Sequence, residues 1–318
     1  MTWGQGKIWY DGALVDWEQA TCHVLSHALH YGSSVFEGIR CYQIDGQPHV
    51  FRMHEHVRRL FDSAKIYRIQ VPYTADDFKE AIQAVIRENG LKSCYVRPLI
   101  FQGLKSLSVN PAQCPVRCVV AAWAWGSYLG EGSMEKGVSV SVSSWRRPAP
   151  DTLPSMAKAG GNYLNSQLMI MEATHIGTHE AIALDYAGFV SEGSGENVFL
   201  VRDGVIHTPP LSASILPGIT RDCVLTLART LDIPVREESI PREALYLADE
   251  IFFSGTAAEI VPVTRVDGLP VGEGARGPIT AKIQSAFFDM LSGKQGDPHN
   301  WLTPVPPATQ SGPSESAS

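Results

Sequence analysis

Two hydrophobic spacings alternate along the first 125 residues. Apolar residues recur every three or four positions from His54 to Tyr67 and again from Phe78 to Ile86, which predicts two amphipathic helices, the second ending near Gly90. The segments KIWYDGALVDW and VFEGIRCYQIDGQPHVF are strand-like, and each has Asp-Gly at its centre, which predicts two β-hairpins. Together with the strand-like CYVRPLIF and VRCVVAAWAW, these elements predict a small α+β domain over residues 1–125.

The second half of the chain has the same mixture of patterns. Residues 126–137 contain four glycines and are interpreted as a linker. Residues 138–302 are predicted to form a larger mixed α/β domain, and residues 303–318 carry too few apolar side chains to be expected to order. The elements predicted for the larger domain are the strands VSVSVSSW and EIFFSG, a hairpin at Asp203-Gly204, and helices at Tyr163 to Ala173, Arg221 to Leu231 and Ile279 to Leu291.

Composition narrows the class of protein. The 318 residues are 44% hydrophobic and carry a net charge of -7 without a basic stripe, so nucleic acid is not expected as a partner. No window approaches the length of an apolar membrane span and the N-terminus lacks a signal-peptide pattern, so we expect no membrane partner and a cytoplasmic location. The six cysteines show no CxxC spacing, which favours reduced thiols over disulfides or a zinc site.

Lys158 is the first candidate for chemistry. It lies among small residues in SMAKAGGN, where another molecule can approach closely. Burial among apolar neighbours disfavours the charged form of an amine, which leaves it able to form a Schiff base with an aldehyde. A solvated lysine in a glycine loop is the plainer alternative. Ser155 and Lys158 also match the SxxK motif of penicillin-recognising serine hydrolases, but no KTG motif accompanies them.

Two segments could bind an anion. Leu216-Pro-Gly-Ile-Thr-Arg221 precedes a helical pattern, so the amides of Ile219 and Thr220 are expected at a helix N-terminus, a favourable position for a phosphate. Ser254-Gly-Thr-Ala-Ala258 follows a predicted strand and could form a second anion-binding turn. Turns that merely contain glycine are the alternative for both. A dinucleotide GxGxxG loop is excluded at GSGEN because Val198 stands where the third glycine is required.

Acidic residues and histidines complete the candidates. Glu192 lies among glycines at a predicted strand end, where a carboxylate could pair with a pyridinium nitrogen. Glu196 could serve equally or be a solvated loop acid, and the sequence alone leaves both open. His23, His27 and His30 have the spacing of one helix face, but no carboxylate lies among them. We interpret them as packing or hydrogen-bonding residues and expect no metal site.

Taken together, these segments resemble the branched-chain aminotransferases of the fold-type-IV pyridoxal-phosphate enzymes. The resemblance spans nearly all of residues 8 to 291, and the motifs occur in the order typical of that family. They are HALHYGSSVFEGIR, HVRRLFDSAKIY, RPLIF, AKAGGNY, SEGSGENVF, LPGITRD and SGTAAEIVPV.

The resemblance implies an α/β fold of two domains, the second barrel-like, with pyridoxal 5'-phosphate bound between them. It implies that Lys158 holds the cofactor as a Schiff base and shuttles a proton, that Glu192 pairs with the pyridine nitrogen, and that Tyr163 contacts the 3′ oxygen. It also assigns the phosphate to Arg59, with Arg58 as a solvated neighbour. The remaining phosphate ligands implied are Ile219, Thr220 and Thr256.

For substrates, the resemblance implies ping-pong transfer of the amino group of L-leucine, L-isoleucine or L-valine to 2-oxoglutarate, which yields L-glutamate. Arg97 is the residue that would pair with the γ-carboxylate of glutamate. The α-carboxylate would be bound by Tyr95 and the amides of Thr256 and Ala257. The apolar pocket would be formed by Phe36, Gly38, Tyr31, Trp125 and Tyr128.

The family resemblance also implies a homodimer or higher homo-oligomer, in which Tyr31 is expected to reach a neighbouring site. D-amino acid aminotransferases, amine transaminases and the lyase that cleaves aminodeoxychorismate share the fold, so the fold alone does not define the reaction. VFEGIR, RPLIF and SGTAAEI favour the branched-chain group. A catalytically inactive binding protein would have little reason to retain Lys158, Tyr163 and Glu192 together.

Overall fold

The protein is described by a computed structural model over residues 5–126, 129–130 and 132–307. Its strands are β1 (Lys7–Tyr10), β2 (Ala13–Asp16), β3 (Ser34–Phe36), β4 (Ile39–Ile44), β5 (Gln47–Phe51), β6 (Cys94–Gln102), β7 (Val116–Trp123), β8 (Val138–Val142), β9 (Glu180–Leu184), β10 (Val190–Gly193), β11 (Asn197–Arg202), β12 (Val205–Thr208), β13 (Val235–Glu237), β14 (Glu250–Gly255), β15 (Glu259–Val266), β16 (Leu269–Pro270) and β17 (Leu302–Pro304). Its α-helices are α1 (His27–Tyr31), α2 (Met53–Ile66), α3 (Ala75–Glu88), α4 (Ser133–Lys136), α5 (Tyr163–His175), α6 (Ile219–Thr230), α7 (Ala244–Leu247) and α8 (Pro278–Leu291).

The first sheet contains both predicted N-terminal hairpins. Its strand order is β17-β5-β4-β6-β7-β1-β2, and β3 pairs with β6. At the β4–β5 turn Asp45 and Gly46 have φ angles of 49° and 81°, the left-handed pair that a type I′ hairpin requires. Helices α2 and α3 cover this sheet with the apolar stripes expected from their spacing, and Leu60, Phe78 and Ile82 are fully buried.

The second sheet closes on itself. Strands β10, β9, β8, β15, β14 and β11 pair in that order, and β10 also pairs with β11, so these six strands form a closed barrel. Strand β9 is buried at every position and β14 at all but its last, which is expected where a strand has packed elements on both faces. The α/β class with a barrel-like second half is confirmed. The exact domain boundaries stay a prediction.

Several predicted boundaries need correction. Strand β7 ends at Trp123 rather than at residue 125, and β8 ends at Val142 rather than at residue 145. Helix α6 begins at Ile219, two residues before the predicted start, because Gly218 adopts an extended cap conformation. The predicted linker 126–137 contains the short helix α4, whose Met134 carbonyl accepts a hydrogen bond from Gln284.

The prediction that residues 303–318 are disordered is wrong for residues 303–307. Strand β17 pairs with β5, and the amide of Val305 donates to the carbonyl of Pro48 at 2.9 Å. The Val305 side chain is buried in the core under the first sheet. One apolar side chain and one edge strand order this stretch, although its composition is poor in apolar residues. Residues 308–318 lie outside the described part of the chain.

The role of Val305 can be tested by truncation to alanine. Because two buried carbon groups are removed and a small cavity is left, Val305→Ala should lower the free energy of unfolding by roughly 2 kcal/mol. The matched control is Leu247→Ala, since Leu247 is 63% exposed, and this change should alter the free energy of unfolding by no more than about 0.5 kcal/mol. Equal urea midpoints for the two variants would contradict the placement of β17.

Candidate active site

One pocket between the two sheets collects most of the predicted site residues. It encloses about 1030 Å³, counting its open mouth, and both halves of the chain contribute to it. The predicted residues that line it are Phe36, Gly38, Arg59, Tyr95, Arg97, Trp125, Lys158, Tyr163, Glu192, Ile219, Thr220, Thr256 and Ala257.

Lys158 is held at the wall of this pocket by its backbone. Its amide donates to Ser63 Oγ at 3.0 Å, and its carbonyl accepts from the amide of Phe36. Its Nζ donates to the Tyr163 hydroxyl at 2.7 Å and lies 5.1 Å from the centre of the Phe36 ring. A Cβ at Gly160 would lie 2.4 Å from Ser34 Oγ, so the glycines after Lys158 permit this close approach to β3. A lysine amine in contact with a phenol and aromatic rings is a suitable nucleophile for a carbonyl carbon.

Glu192 is fixed from three sides at the end of the barrel. Its Oε1 pairs with Arg147 Nη2 at 2.9 Å, while its Oε2 accepts from Asn197 Nδ2 at 3.1 Å and from the Leu216 amide at 3.0 Å. Burial raises the pKa of Glu192, and the Arg147 guanidinium opposes that rise. A buried carboxylate with fixed orientation is suited to pairing with a cationic ring nitrogen.

The structure separates the roles of the two acidic candidates. Glu196 lies in the same pocket wall and is buried rather than solvated. Burial, followed by the nearby Glu180 carboxylate, raises the pKa of Glu196 well above its usual range. Glu180 itself accepts from Ser194 Oγ at 2.9 Å. Glu192 has an arginine partner, whereas Glu196 faces other acids, so Glu192 is the carboxylate equipped to be ionised.

The part of the pocket at the N-terminus of α6 is suited to an anion. The first turn of α6 presents the amides of Ile219 and Thr220, and its cap residue Gly218 contributes no side chain. A Cβ at Gly218 would lie 1.9 Å from Asn197 Oδ1, so only glycine fits there. Ser254 Oγ is buried and has no hydrogen-bond partner among residues 5–126, 129–130 and 132–307. Open amides and an unused hydroxyl together suit a phosphate.

Arg59 belongs to a buried charge cluster beside this part of the pocket. Its Nε and Nη2 form a bidentate pair with Glu37 at 2.6 and 2.9 Å, and its Nη1 donates to the Pro217 carbonyl. His56 Nδ1 lies 2.7 Å from Glu37. Burial alone would raise the pKa of Glu37, but Arg59 and then His56 outweigh it and hold that pKa well below its usual range. Arg58, in contrast, is 84% exposed, as expected.

Another wall of the pocket is aromatic and contains the half-buried Arg97. Trp125 stacks on Tyr95 with ring centres 4.8 Å apart, and the Arg97 guanidinium lies 4.8 Å from the Phe36 ring and 5.6 Å from the Tyr95 ring. Arg97 Nε is buried and lacks a hydrogen-bond partner within the described chain. A Cβ at Gly38 would lie 1.8 Å from the Tyr95 hydroxyl, so glycine is required for Tyr95 to reach the pocket.

The turn at Thr256 and Ala257 is anchored from the first sheet. Arg40 donates to the carbonyl of Thr256 at 3.1 Å and to that of Ala257 at 2.6 Å. Glu259 pairs with Arg40 at 3.8 Å and accepts from the Tyr42 hydroxyl at 2.7 Å. The turn therefore stays at the pocket mouth in a single orientation.

Comparison with known proteins agrees with this geometry. The family model described as amino-transferase class IV matches residues 34–266. The chain belongs to this class. The branched-chain-amino-acid aminotransferase of Escherichia coli strain K12 is 55% identical over 299 residues, which cover 94% of this chain and 97% of that protein. The chain is therefore a member of the branched-chain group of class IV aminotransferases.

Solved structures give the same result. The crystal structure of the Escherichia coli branched-chain amino acid aminotransferase has a TM-score of 0.93 and 54% identity, and the match covers 95% of this chain and 100% of that one. The branched-chain amino acid aminotransferase from Thermobaculum terrenum, solved in its PLP-form, has a TM-score of 0.89 and 35% identity, with 95% and 99% coverage. The aminotransferase class and fold predicted from the motifs are confirmed.

Among the described residues, one predicted substrate residue of this class IV aminotransferase, Tyr31, does not line the pocket. Tyr31 is half exposed, and its hydroxyl donates to the Leu107 carbonyl at 2.8 Å, outside the pocket of its own chain. Tyr128 lies outside the described residues.

The three histidines are used in hydrogen bonds: His27 contacts Ser33 Oγ at 2.6 Å, His30 contacts the Val24 carbonyl and His23 accepts from the Leu25 amide.

Sequence reasoning missed three residues that shape the site of this aminotransferase, Glu37, Arg147 and Asn197, and it did not place Ser254 of the predicted anion-binding turn opposite Asn197. Glu37 had a usable signal, because it is a single charge within the apolar run VFEGI. Arg147 is one of two adjacent arginines, and nothing in the local sequence distinguishes it from the exposed Arg146. Asn197 and Ser254 face each other across β11 and β14, a pairing that only the tertiary fold reveals.

No described helix is long and apolar enough to cross a membrane. Residues 5–126, 129–130 and 132–307 contain no group of three or more His, Cys, Asp or Glu side chains placed to bind a metal.

The charge cluster around Glu37 should make stability depend on pH. Glu37→Gln leaves Arg59 buried without its carboxylate, and should lower the free energy of unfolding at pH 7 by roughly 3–5 kcal/mol. Because the folded pKa of Glu37 is lowered, its contribution is present above the unfolded value of 4.5 and is lost as pH falls below it. The difference between variant and wild type in urea unfolding should therefore shrink below about pH 4.5.

The control is Glu55→Gln, which removes a carboxylate that is 40% exposed and pairs with Arg52. This change should cost less than about 1 kcal/mol. A Glu37→Gln variant no less stable than the Glu55→Gln control would contradict the assignment.

Proposed function

We propose that this protein transfers the amino group of L-leucine, L-isoleucine or L-valine to 2-oxoglutarate, giving branched 2-oxo acids and L-glutamate, with pyridoxal 5'-phosphate as cofactor. The observation that carries the proposal is the presence of Lys158, Tyr163 and Glu192 in one pocket that also includes the open N-terminus of α6. The amine, the phenol, the carboxylate and the helix amides are each suited to bind one part of the cofactor: its aldehyde, its phenolic oxygen, its ring nitrogen and its phosphate.

The donor set fits the cofactor at both ends. The amides of Ile219 and Thr220, the hydroxyls of Ser254 and Thr256 and the Arg59 guanidinium would hold a phosphate dianion. Lys158 Nζ would bind the aldehyde, Tyr163 the phenolic oxygen, and Glu192 the ring nitrogen. The hydroxyl of Ser254 supports this fit, because a buried polar atom without a protein partner is expected where a ligand binds.

Pyridoxal phosphate supplies the electron sink that stabilises negative charge at the substrate Cα. Lys158 would supply the base, because its Nζ would accept the substrate Cα proton and later return it. Tyr163 keeps that amine in place through the 2.7 Å hydrogen bond. Glu192 would hold the ring nitrogen of the cofactor and favour its protonated form. The two halves of the reaction follow in ping-pong order.

The aromatic wall supports acceptance of two unlike side chains. Phe36, Tyr95 and Trp125 provide apolar surface for a branched side chain. Among the described residues Arg97 contacts aromatic rings and has no carboxylate partner, so its charge is available to the γ-carboxylate of glutamate. Tyr95 and the amides of the turn at Thr256 and Ala257 would receive the α-carboxylate, which both substrates share.

We further propose a homo-oligomer in the cytoplasm. The loop around Leu107 and helix α1 expose apolar side chains close together, which supports burial against a second copy. Val109 is 77% exposed and Leu29 is 62% exposed.

The cysteines are free and mostly buried, which supports a location in a reducing compartment such as the cytoplasm.

The cofactor proposal is tested by Lys158→Ala. The wild type should show a visible absorbance band that bleaches with L-leucine and returns with 2-oxoglutarate. The variant should fold but lose that band and at least about 10³-fold of its turnover, because the general base and the covalent anchor are both gone. Lys282→Ala, at an exposed position of α8, is the control and should behave like the wild type. Normal turnover by Lys158→Ala would refute the proposal, and a response to D-alanine but not L-leucine would refute the substrate assignment.

The role of Arg97 is tested by comparing the two half-reactions in one variant. Arg97→Met removes the charge but retains much of the bulk, so kcat/KM for 2-oxoglutarate should fall by about 10- to 100-fold through the loss of a charged hydrogen bond. The kcat/KM for L-leucine should change by less than about threefold, because the leucine side chain has no charge that could pair with Arg97. Equal losses for both substrates, measured by stopped-flow absorbance, would show that Arg97 supports the site without selecting the acidic substrate.

A further inference from the structure

We propose that Arg147 is a positioning residue that keeps Glu192 ionised and links it to helix α5, which carries Tyr163; this inference rests on the function proposed above. None of the motifs that carry the family resemblance contains Arg147. It acts through Glu192 and α5.

Arg147 contacts three elements from a buried position. Its side chain is 7% exposed, and its backbone amide donates to the Leu184 carbonyl at 2.9 Å, which fixes it to the end of β9. Its Nη2 pairs with Glu192 Oε1 at 2.9 Å, and its Nη1 donates to Asn165 Oδ1 at 2.9 Å. A second contact of Nη1 reaches Ser166 Oγ at 3.5 Å. One arginine therefore joins β9, β10 and α5.

The link to α5 matters because of what that helix begins with. Tyr163 is the first residue of α5, and its hydroxyl receives the hydrogen bond from Lys158 Nζ. Asn165 and Ser166 lie within the same first turn. Arg147 thus sets the distance between the carboxylate at one side of the pocket and the phenol at the other. A fork of fixed donors can do this, whereas a single ammonium can hold only one of the two partners firmly.

Arg147 also supplies the positive charge in direct contact with Glu192. Burial raises the pKa of Glu192, and Arg147 is the largest opposing influence, followed by the Leu216 amide and the more distant Lys158. The other acids facing this region, Glu196 and Glu180, have pKa values raised by burial. Without Arg147, Glu192 would have acids and neutral donors as its near neighbours, and its charged form would be disfavoured.

Orientation and ionisation of Glu192 depend on different partners. Asn197 and the Leu216 amide hold Oε2, and both contacts are independent of Arg147. Removal of the guanidinium should therefore leave the carboxylate in place but protonated over a wider pH range. A neutral carboxyl group cannot retain a protonated ring nitrogen by charge, so cofactor affinity should fall while the fold persists.

The test uses Arg147→Met, Arg147→Lys and the neighbouring control Arg146→Met, whose side chain is exposed. Cofactor-free full-length protein is titrated with pyridoxal 5'-phosphate, and the visible band of the bound form is followed against pH. Arg147→Met should raise the Kd for pyridoxal 5'-phosphate at least tenfold and shift the pH profile of the band. Arg147→Lys should show smaller changes in both the Kd and the pH profile. The Kd of Arg146→Met should stay within twofold of the wild-type value. A wild-type Kd and pH profile in Arg147→Met would overturn the proposal, even if its Tm is lower.

A cofactor-free measurement separates this inference from the proposed function. In Arg147→Met the folded pKa of Glu192 rises further above the unfolded value, so the stability it contributes is present at low pH and is lost as pH rises. The urea midpoint should therefore fall more at pH 8 than at pH 5, and adding Glu192→Gln should restore most of the loss at pH 8. No restoration would overturn the pairing, whatever the cofactor does. If the wild type binds no cofactor but the double variant still regains stability at pH 8, the proposed function is refuted and the pairing of Arg147 with Glu192 stands.

Discussion

Strand β10 pairs with β11 at Glu192 and Asn197, and this pairing closes the barrel. Glu192 and Asn197 are both buried at this closure, so their polar side chains need partners within the protein. Glu192 finds Arg147, Asn197 and the amide of Leu216. The last of these contacts fixes the chain just before α6. The closure of the barrel therefore determines the positions of both Glu192 and the N-terminus of α6.

Contact between the two halves relies on arginines from the first half. Arg40 ends on the carbonyls of Thr256 and Ala257, Arg59 reaches the Pro217 carbonyl, and Arg52 pairs with Asp222. A buried guanidinium is costly unless its donors are used, so each arginine favours the one arrangement that satisfies it. The pocket mouth is consequently held between two sheets whose relative position is specified by directional hydrogen bonds rather than by apolar contact alone.

Local patterns in the sequence were sufficient to predict those elements whose structure is determined by neighbouring residues. The Asp-Gly hairpins and the stripes of α2 and α3 were predicted correctly, because turn conformation and helical spacing depend on neighbouring residues. Lys158 was found because small residues surround it. The choice of Arg147 over Arg146 and the paired arrangement of Asn197 with Ser254 depend on strands that are distant in sequence, and no local pattern encodes them. The burial of Glu196 likewise follows from barrel closure.

The return of β17 to the first sheet has a consequence for synthesis on the ribosome. Helices α2 and α3 and strands β1 to β7 are made first, yet their edge is covered only when residues 302–305 have left the exit tunnel. Until then β5 presents an open edge, and the hydrophobic surface beneath it lacks Val305. Unpaired strand edges on a nascent chain invite non-native association. The first sheet to be synthesised is thus completed only after the barrel strands have been made, and the nascent protein must keep that edge unpaired until residues 302–305 have emerged.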